Sequence, residues 1–307
     1  MSGLATLGYA IFIDPFVEFA FMRRSLVATL ALALGSAPLG VFLNLRRMGL
    51  MGDALSHAIL PGVAAGFWVA GLSLWAMAFG GLLAGLLVTT LAAWLSRHTQ
   101  QEQNTSLSAV YLSALAVGVG MVSARGTPLD LLHILFGSAL GVDQPGLLLV
   151  AGVASASVLL LAVLYRGLVL DTFDPLFLRV GHRSAGFGTA RYPAVWQQAF
   201  LFLVVANLVV GFQALGTLMS VGLMMLPAAA ARLWHATLPE QLVHAAAQAA
   251  VSGFAGLLVS YHLGTASGPT IIACASLLYF GSVLLAPDSG LLRGRLRGPT
   301  LTSTTHS

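Results

Sequence analysis

The sequence predicts an all-α protein that crosses a membrane about nine times, and both its composition and its hydropathy pattern indicate this. Of its 307 residues, 58% are hydrophobic and 8% are charged, whereas a soluble domain carries about 25% charged residues. Uncharged runs of roughly 20 residues, the length that crosses a bilayer as a helix, recur along the chain. A surface so poor in charge does not suit water, so we expect an integral membrane protein.

The uncharged runs give the positions of the predicted spans. A run of about 20 residues holds one helix and a run of about 40 holds two. Residues 131–142 form an apolar run too short to span, which predicts a half-helix near the outer surface. We divide the chain into an N-terminal amphipathic segment (1–24), a membrane-spanning domain (25–287) and a polar tail (288–307). Single spans are predicted at 25–45, 105–124 and 144–165, and pairs of spans at 58–95, 192–231 and 241–287.

The arginines predict which side of the membrane each connection faces, because cytoplasmic loops carry an excess of basic residues. The chain contains no lysine and fourteen arginines. Eleven of these fall in one alternate set of connections, and three, Arg23, Arg24 and Arg125, fall in the other. This bias places the C-terminus in the cytoplasm and, with an odd number of spans, the N-terminus outside.

Asp53 and His57 are the main candidates for metal binding. They stand four residues apart at the start of a long uncharged run, and that spacing places both side chains on one face of a helix. Ionisable residues at membrane spans are costly and typically functional, and a carboxylate with an imidazole suits a divalent metal. Two ligands are too few for a stable site, but a symmetric homodimer would supply four. Alternatively, Asp53 caps the N-terminus of its helix.

Two further histidines are predicted on the outer side. His133 lies on the short half-helix, and His262 lies at the outer end of a span. Either side chain is placed to contact arriving metal. The alternative interpretation is an interfacial histidine without a ligand role, because ligands inside membranes are sparse.

Residues 174–182, DPLFLRVGH, lie in the largest connection on the arginine-rich side. An Asp-Pro pair begins this segment and a glycine comes near its end, which are start and stop signals for a short helix. Two apolar side chains allow the helix to dock into a partner. An ordinary interfacial helix is the alternative. The residues assigned to this docking helix are Asp174, Pro175, Phe177, Leu178 and Gly181.

The chain carries no catalytic signature. A phosphate-binding Walker A loop requires a lysine, and the sequence has none. Neither a nucleophile–base set nor a dense ligand motif such as HExxH occurs, which argues against a membrane enzyme. The net charge of +4 comes without a basic aromatic cluster, so no nucleic-acid partner is expected.

The chain resembles the membrane-spanning permeases of bacterial ABC transporters for zinc, manganese or iron, the ABC-3 family. The resemblance runs from about Phe21 to Leu285. The most specific segment is LNLRRMGLMGDALSHAILPG at 43–62, and the others are DLLHILFGSALGVD at 130–143, DPLFLRVGH at 174–182, SVGLMMLPAAAARLW at 220–234 and SGPTIIACASLLYF at 267–280.

The resemblance implies a protein of the bacterial inner membrane, similar in fold to the vitamin B12 and siderophore importer permeases. It implies a homodimer, two ATPase subunits on the cytoplasmic face, and an extracytoplasmic metal-binding protein that delivers the ion. The family's metal-binding Asp and His correspond to Asp53 and His57, and its cytoplasmic coupling helix corresponds to residues 174–182. The chain is then a transport subunit without enzymatic activity and without a permanently bound cofactor.

The identity of the metal stays open at this point. We favour zinc, with manganese or iron import by the same architecture as the alternative, because Asp and His suit all three ions. The rival mechanism is a proton-coupled secondary metal transporter. It requires further titratable residues within spans, where only Asp53 is expected.

Overall fold

The computed structural model describes Tyr9 and residues 12–99, 102–124, 141–173 and 192–286, and every regular element of five or more residues among them is an α-helix. The chain forms eleven such helices within these ranges. They are α1 (Asp14–Glu18), α2 (Ala20–Leu45), α3 (Met51–Ala58), α4 (Leu60–Ala70), α5 (Leu74–Thr99), α6 (Gln103–Ala124), α7 (Gln144–Phe173), α8 (Tyr192–Leu215), α9 (Thr217–Trp234), α10 (Leu238–Leu263) and α11 (Ser267–Leu285).

Eight helices of the described ranges, α2 and α5 to α11, are long and apolar enough to cross a membrane. The remaining predicted span, the first of the pair at 58–95, corresponds to α4, and α3 precedes it with the single residue Ile59 between them. The predicted all-α membrane fold is therefore confirmed. Residues 131–140 of the predicted half-helix, the docking helix at 174–182 and the tail at 288–307 lie outside the described residues.

The first span starts earlier than predicted, because α2 begins at Ala20 rather than at residue 25. Arg23 lies in the first turn of α2, and its guanidinium donates hydrogen bonds to the carbonyls of Val17 (2.7 Å) and Phe16 (3.2 Å). Both carbonyls belong to the end of α1, where a cation is favourable. This arginine therefore links two helices.

α7 ends later than predicted, at Phe173 rather than at residue 165. Arg166 is exposed on the surface of the helix, so its charge is solvated without interrupting the backbone hydrogen bonds. Leu168, in the extra length, is fully buried. Asp171 also belongs to this part of α7, and Glu240 lies in the first turn of α10, so acidic residues other than Asp53 lie on helices long enough to cross a membrane.

α2 lies at the centre of the bundle and contacts α7, α8, α9 and α10. Phe42 of α2 meets Phe200 of α8 edge-on, with the ring centroids 6.1 Å apart, and both side chains are fully buried. Nδ2 of Asn207 on α8 donates a hydrogen bond of 2.6 Å to Oγ of Ser157 on α7. Packing and interhelical hydrogen bonds of this kind hold helices together in lipid, where no hydrophobic effect acts between them.

Glycines bring α4 and α5 into backbone contact. A Cβ atom on Gly62 would overlap the carbonyl of Gly80, and a Cβ atom on Gly80 would overlap the carbonyl of Gly62. Small residues permit this close approach of helices in bilayers. The contact fixes α4, the second half of the broken span, against α5.

Candidate metal site

A left-handed turn joins α2 to α3, the helix that carries the predicted ligands. Arg47 has a φ angle of 58°, a conformation that residues other than glycine adopt rarely. The N–H of Met48 donates to the carbonyl of Leu43 at 2.9 Å, which is the bond that closes a Schellman cap at a helix C-terminus. The chain therefore leaves α2 sharply, and α3 begins at Met51.

α3 packs against α9 and ends at a proline break. Gly52 of α3 faces Met225 of α9, and a Cβ atom on this glycine would lie 2.6 Å from the Met225 Cε. Pro61 has no N–H to donate to the carbonyl of His57, four residues earlier. The helix is interrupted at Ile59 for this reason, and α4 starts directly afterwards.

Asp53 and His57 lie on the same face of α3, as their spacing predicts. His57 Nε2 is 3.8 Å from Asp53 Oδ1, which is close enough for an electrostatic contact but too long for a hydrogen bond. The Asp53 side chain is 68% exposed and the His57 side chain is 28% exposed. Both face a cleft of about 250 Å³ between α3 and the first turns of α9, lined by Asp53, Ser56, His57, Thr217, Leu218, Val221 and Gly222.

Asp53 is not the N-cap of its helix. The N-cap of α3 is Leu50, and no side chain bonds to the backbone there. Asp53 does lie in the first helical turn, where the helix dipole favours a negative charge. Its carboxylate lines the cleft, so the alternative role as a cap has no hydrogen bond to support it.

One carboxylate and one imidazole bind a divalent ion weakly, because protein metal sites use three or four ligands. Within the described ranges, no group of three His, Cys, Asp or Glu side chains is placed to hold a metal ion. Water and ligands from a second chain would complete the coordination. Such a sparse site suits an ion in transit, which must leave as readily as it arrives.

The other predicted site residues are not part of this cleft. His262 is exposed at the end of α10, with its ring centroid 5.3 Å from that of Tyr261, and it does not line the cleft. His133 lies outside the described residues, as do the residues of the docking helix, Asp174, Pro175, Phe177, Leu178 and Gly181. The roles given to them stay predictions.

A buried ion pair behind the α2–α3 turn was not predicted. Arg46 Nη2 lies 2.9 Å from Asp171 Oδ2, and the two side chains are 10% and 12% exposed. Arg46 Nε donates to Thr172 Oγ1 at 3.1 Å, and the guanidinium carbon lies 4.6 Å from the Phe200 ring centroid. Burial lowers the pKa of Arg46, and the charge and hydrogen bond of Asp171 act in the opposite direction. The pair ties the turn before the metal site to the end of α7.

Eight helices long enough to cross a membrane, packed with a broken helix whose ionisable pair faces a cleft, define a polytopic membrane protein with a polar site among its helices. Residues 18–286 match the ABC 3 transport family, and the chain belongs to this family. It is thus an ABC-type metal permease, as the resemblance of the sequence motifs implied.

The relatives of the chain cover nearly its whole length. It is 31% identical to the manganese import system permease protein ScaB of Streptococcus parasanguinis, over 90% of this chain and 94% of that protein. It is 29% identical to the manganese transport system membrane protein MntC of Halalkalibacterium halodurans, over 94% of this chain and 94% of that protein. Among solved structures, PsaBC from Streptococcus pneumoniae in complex with Fab has a TM-score of 0.79 at 28% identity and covers 93% of this chain and 99% of that chain.

Proposed function

We propose that this chain is the permease subunit of an ATP-driven importer of divalent metal ions, and that the imported ion is manganese. One observation carries the proposal: an Asp–His pair, Asp53 and His57, faces a cleft from a broken helix in a member of this permease family. The chain provides a path with weak ligands and leaves ATP hydrolysis to another subunit.

We assign manganese as the imported ion, whereas the sequence alone favoured zinc. ScaB and MntC are both named for manganese. Asp and His serve manganese, iron and zinc alike, so the residue types agree with this assignment without requiring it. Manganese binds sites of nitrogen and oxygen more weakly than zinc does, so its selection depends on the geometry of the completed site.

A second copy of the chain completes the site in this proposal. The Asp53 carboxylate is 68% exposed, and an ionised carboxylate is costly against lipid, so we expect it to face protein or water. A two-fold dimer brings two Asp53 and two His57 side chains around one axis, which gives four ligands. The neighbouring helix α6 buries only Ser106, Leu107 and Gly118 among its described side chains, which leaves a face for the partner.

ATPase subunits bind the cytoplasmic face, and an extracytoplasmic metal-binding protein delivers the ion from the other side. Arg46, Arg97 and Arg232 mark the cytoplasmic ends of α2, α5 and α9, by the rule that basic residues stay inside. The C-terminus is then cytoplasmic and the N-terminus outside. A proton-coupled transporter has less support, because Asp171, the buried acid on α7, is engaged by Arg46, and Glu240 lies in the first turn of α10 with an exposed side chain.

Uptake by the reconstituted transporter tests the proposed function. In vesicles that contain the permease, its ATPase and its binding protein, we expect Mn²⁺ to accumulate when ATP is supplied, as measured with radioactive manganese. Zinc supplied at the same concentration should accumulate less. Accumulation of zinc without manganese would overturn the choice of metal, and accumulation driven by a proton gradient without ATP would overturn the mechanism.

Replacing Phe177 and Leu178 with Asp tests the docking helix. The two new charges would enter a dry interface, at a cost of several kcal/mol, so we expect the ATPase no longer to co-purify with the tagged permease. Leu72→Asp is a suitable control, because this residue is 79% exposed in the connection between α4 and α5, which the arginine pattern places outside. An ATPase that stays bound to the double variant would show that residues 174–182 are an ordinary connection.

A further inference from the structure

Two histidines meet at the turn between α9 and α10, away from the cleft. His235 directly follows α9, and its Nε2 lies 3.0 Å from Nδ1 of His244 on α10. The two rings are nearly edge-on, with centroids 5.0 Å apart and an interplanar angle of 63°. The two nitrogen atoms share a hydrogen bond, in which one ring N–H donates to the other ring nitrogen, and a metal ion would take the place of that proton.

The surroundings of the histidine pair resemble the outer shell of a metal site. Oε2 of Glu240 lies 3.5 Å from the other ring nitrogen of His235, Nδ1. The ring of Trp234 stacks on His244, with centroids 6.0 Å apart and an interplanar angle of 23°. Metal-binding histidines almost always have a carboxylate, carbonyl or water at the nitrogen that does not bind the metal, and this partner fixes the ring and raises its basicity. Glu240 is placed to do this for His235.

A buried oxygen beside the pair lacks a hydrogen-bond donor. Nε2 of Gln241 donates to the backbone carbonyl of His235 at 2.8 Å. Its Oε1 is buried and has no hydrogen-bond partner among the described residues, and the residue as a whole is 6% exposed. A buried acceptor without a partner is costly, so this turn has an unsatisfied polar atom on a residue that bonds to the backbone of His235.

We propose that His235 and His244 bind a divalent metal ion of the kind that prefers imidazole, with zinc as the best fit. Two nitrogens bound to tetrahedral zinc at about 2.0–2.1 Å lie about 3.3–3.4 Å apart. The observed separation of 3.0 Å reaches this value with a small rotation of His235, whose side chain is one-third exposed. Water supplies the remaining ligands, so the ion is held by two protein ligands and binds more weakly than at a site with three or four.

This site lies at the opposite end of α9 from the cleft. Thr217 and Leu218, in the first turn of α9, line the cleft, and His235 follows its last residue. An ion on the histidine pair would fasten the end of α9 to α10. Its placement on the cytoplasmic side rests on the orientation in the proposed function, whereas the binding itself does not.

Zinc titration of the permease bound to its ATPase, without the metal-binding protein, tests the site. In a His57→Gln background, which removes the imidazole of the cleft, competition with a chromophoric chelator should reveal one zinc ion per chain. We expect His235→Gln or His244→Gln to abolish this binding, and Glu240→Gln to weaken it about 10–100-fold, as for other outer-shell partners. Unchanged zinc binding in both histidine variants would overturn the proposal.

His98→Gln is the matched control. His98 is exposed at the end of α5, where its ring stacks on Trp94 and bonds to the Trp94 carbonyl at 2.8 Å. This variant should retain the zinc ion. If His98→Gln lost zinc binding, the assignment of the ion to the histidine pair would be wrong.

A thermal measurement covers the case in which a histidine variant folds poorly. A ligand that binds only the native state raises its unfolding temperature, so zinc should raise the Tm of the His57→Gln protein, and the absence of a rise would overturn the proposal. Manganese uptake distinguishes the two proposals. His235→Gln in an otherwise wild-type chain should lose zinc binding at the histidine pair and retain ATP-driven manganese uptake. If vesicles with the wild-type chain took up no manganese, that result would contradict the proposed function and leave the zinc site untouched.

Discussion

Alanine in place of His57 should abolish manganese uptake by the reconstituted transporter, while expression and assembly with the ATPase stay at the wild-type level. The imidazole is one of two ligands that each chain contributes to the proposed site, and a dimer would lose two of its four. Changing even an outer-shell partner lowers metal affinity about 10–100-fold, so the loss of a ligand should lower uptake by at least about 100-fold. The measurement is the initial rate of Mn²⁺ uptake per permease.

Asp53→Asn separates the role of ligand from that of helix cap. Asparagine caps helices about as well as aspartate, but its neutral amide attracts a cation far less, so we expect uptake to fall nearly as much as for His57→Ala. Ser56→Ala is the matched control within the same cleft. The Ser56 hydroxyl donates to the backbone carbonyl of Asp53 at 2.7 Å, and its loss should cost about 0.5–1.5 kcal/mol and leave uptake in place. Normal uptake by Asp53→Asn would refute the ligand role.

Asp171→Asn should lower the stability of the permease more than a change at any exposed charge. This substitution leaves the buried guanidinium of Arg46 without its counter-charge, and breaking a buried ion pair from one side costs about 3–5 kcal/mol. We expect a lower thermal unfolding temperature in detergent and a lower yield of folded protein. Because the pair holds the turn that precedes α3, manganese uptake per folded permease should fall as well.

Two further variants test this explanation of Asp171→Asn. Arg46→Met combined with Asp171→Leu removes both charges and should recover much of the stability, because apolar replacements of a buried pair are often neutral or better. Arg166→Gln, at an exposed position of the same helix, should change the free energy of unfolding by no more than about 0.5 kcal/mol. Equal destabilisation by Arg166→Gln and Asp171→Asn would contradict the role of the ion pair.

The sequence was sufficient to predict the spans and the shared direction of the two proposed ligands. Uncharged runs report which segments can enter lipid, and the four-residue spacing of Asp53 and His57 determines that both side chains share one face of a helix. Helix ends were predicted less well, because an exposed charge such as Arg166 can lie on a helix without ending it. The C-terminal part of α7, which contains Asp171, was therefore not predicted.

The second wall of the cleft could not be predicted. Thr217 and Gly222 lie far along the chain from Asp53, and they approach it only because α9 packs against Gly52. The His235–His244 pair escaped notice for a related reason, because the turn between α9 and α10 brings together residues whose spacing matches no helical repeat. Contacts between distant segments depend on packing, which local periodicity does not encode.

The shortness of α3 links the affinity of the site to the arrangement of the bundle. An isolated helix shorter than about 12–15 residues is marginal in water, and α3 has eight residues between a left-handed turn and a proline break. Its helical form therefore depends on its neighbours, chiefly α6, with α8 and α9 after it. If α9 moves away, the segment loses the packing that keeps it helical and, with it, the alignment of Asp53 with His57. The affinity for the metal then depends on whether α3 is folded as a helix. The ion would be bound in the arrangement of the bundle that keeps α3 helical and released in an arrangement that does not.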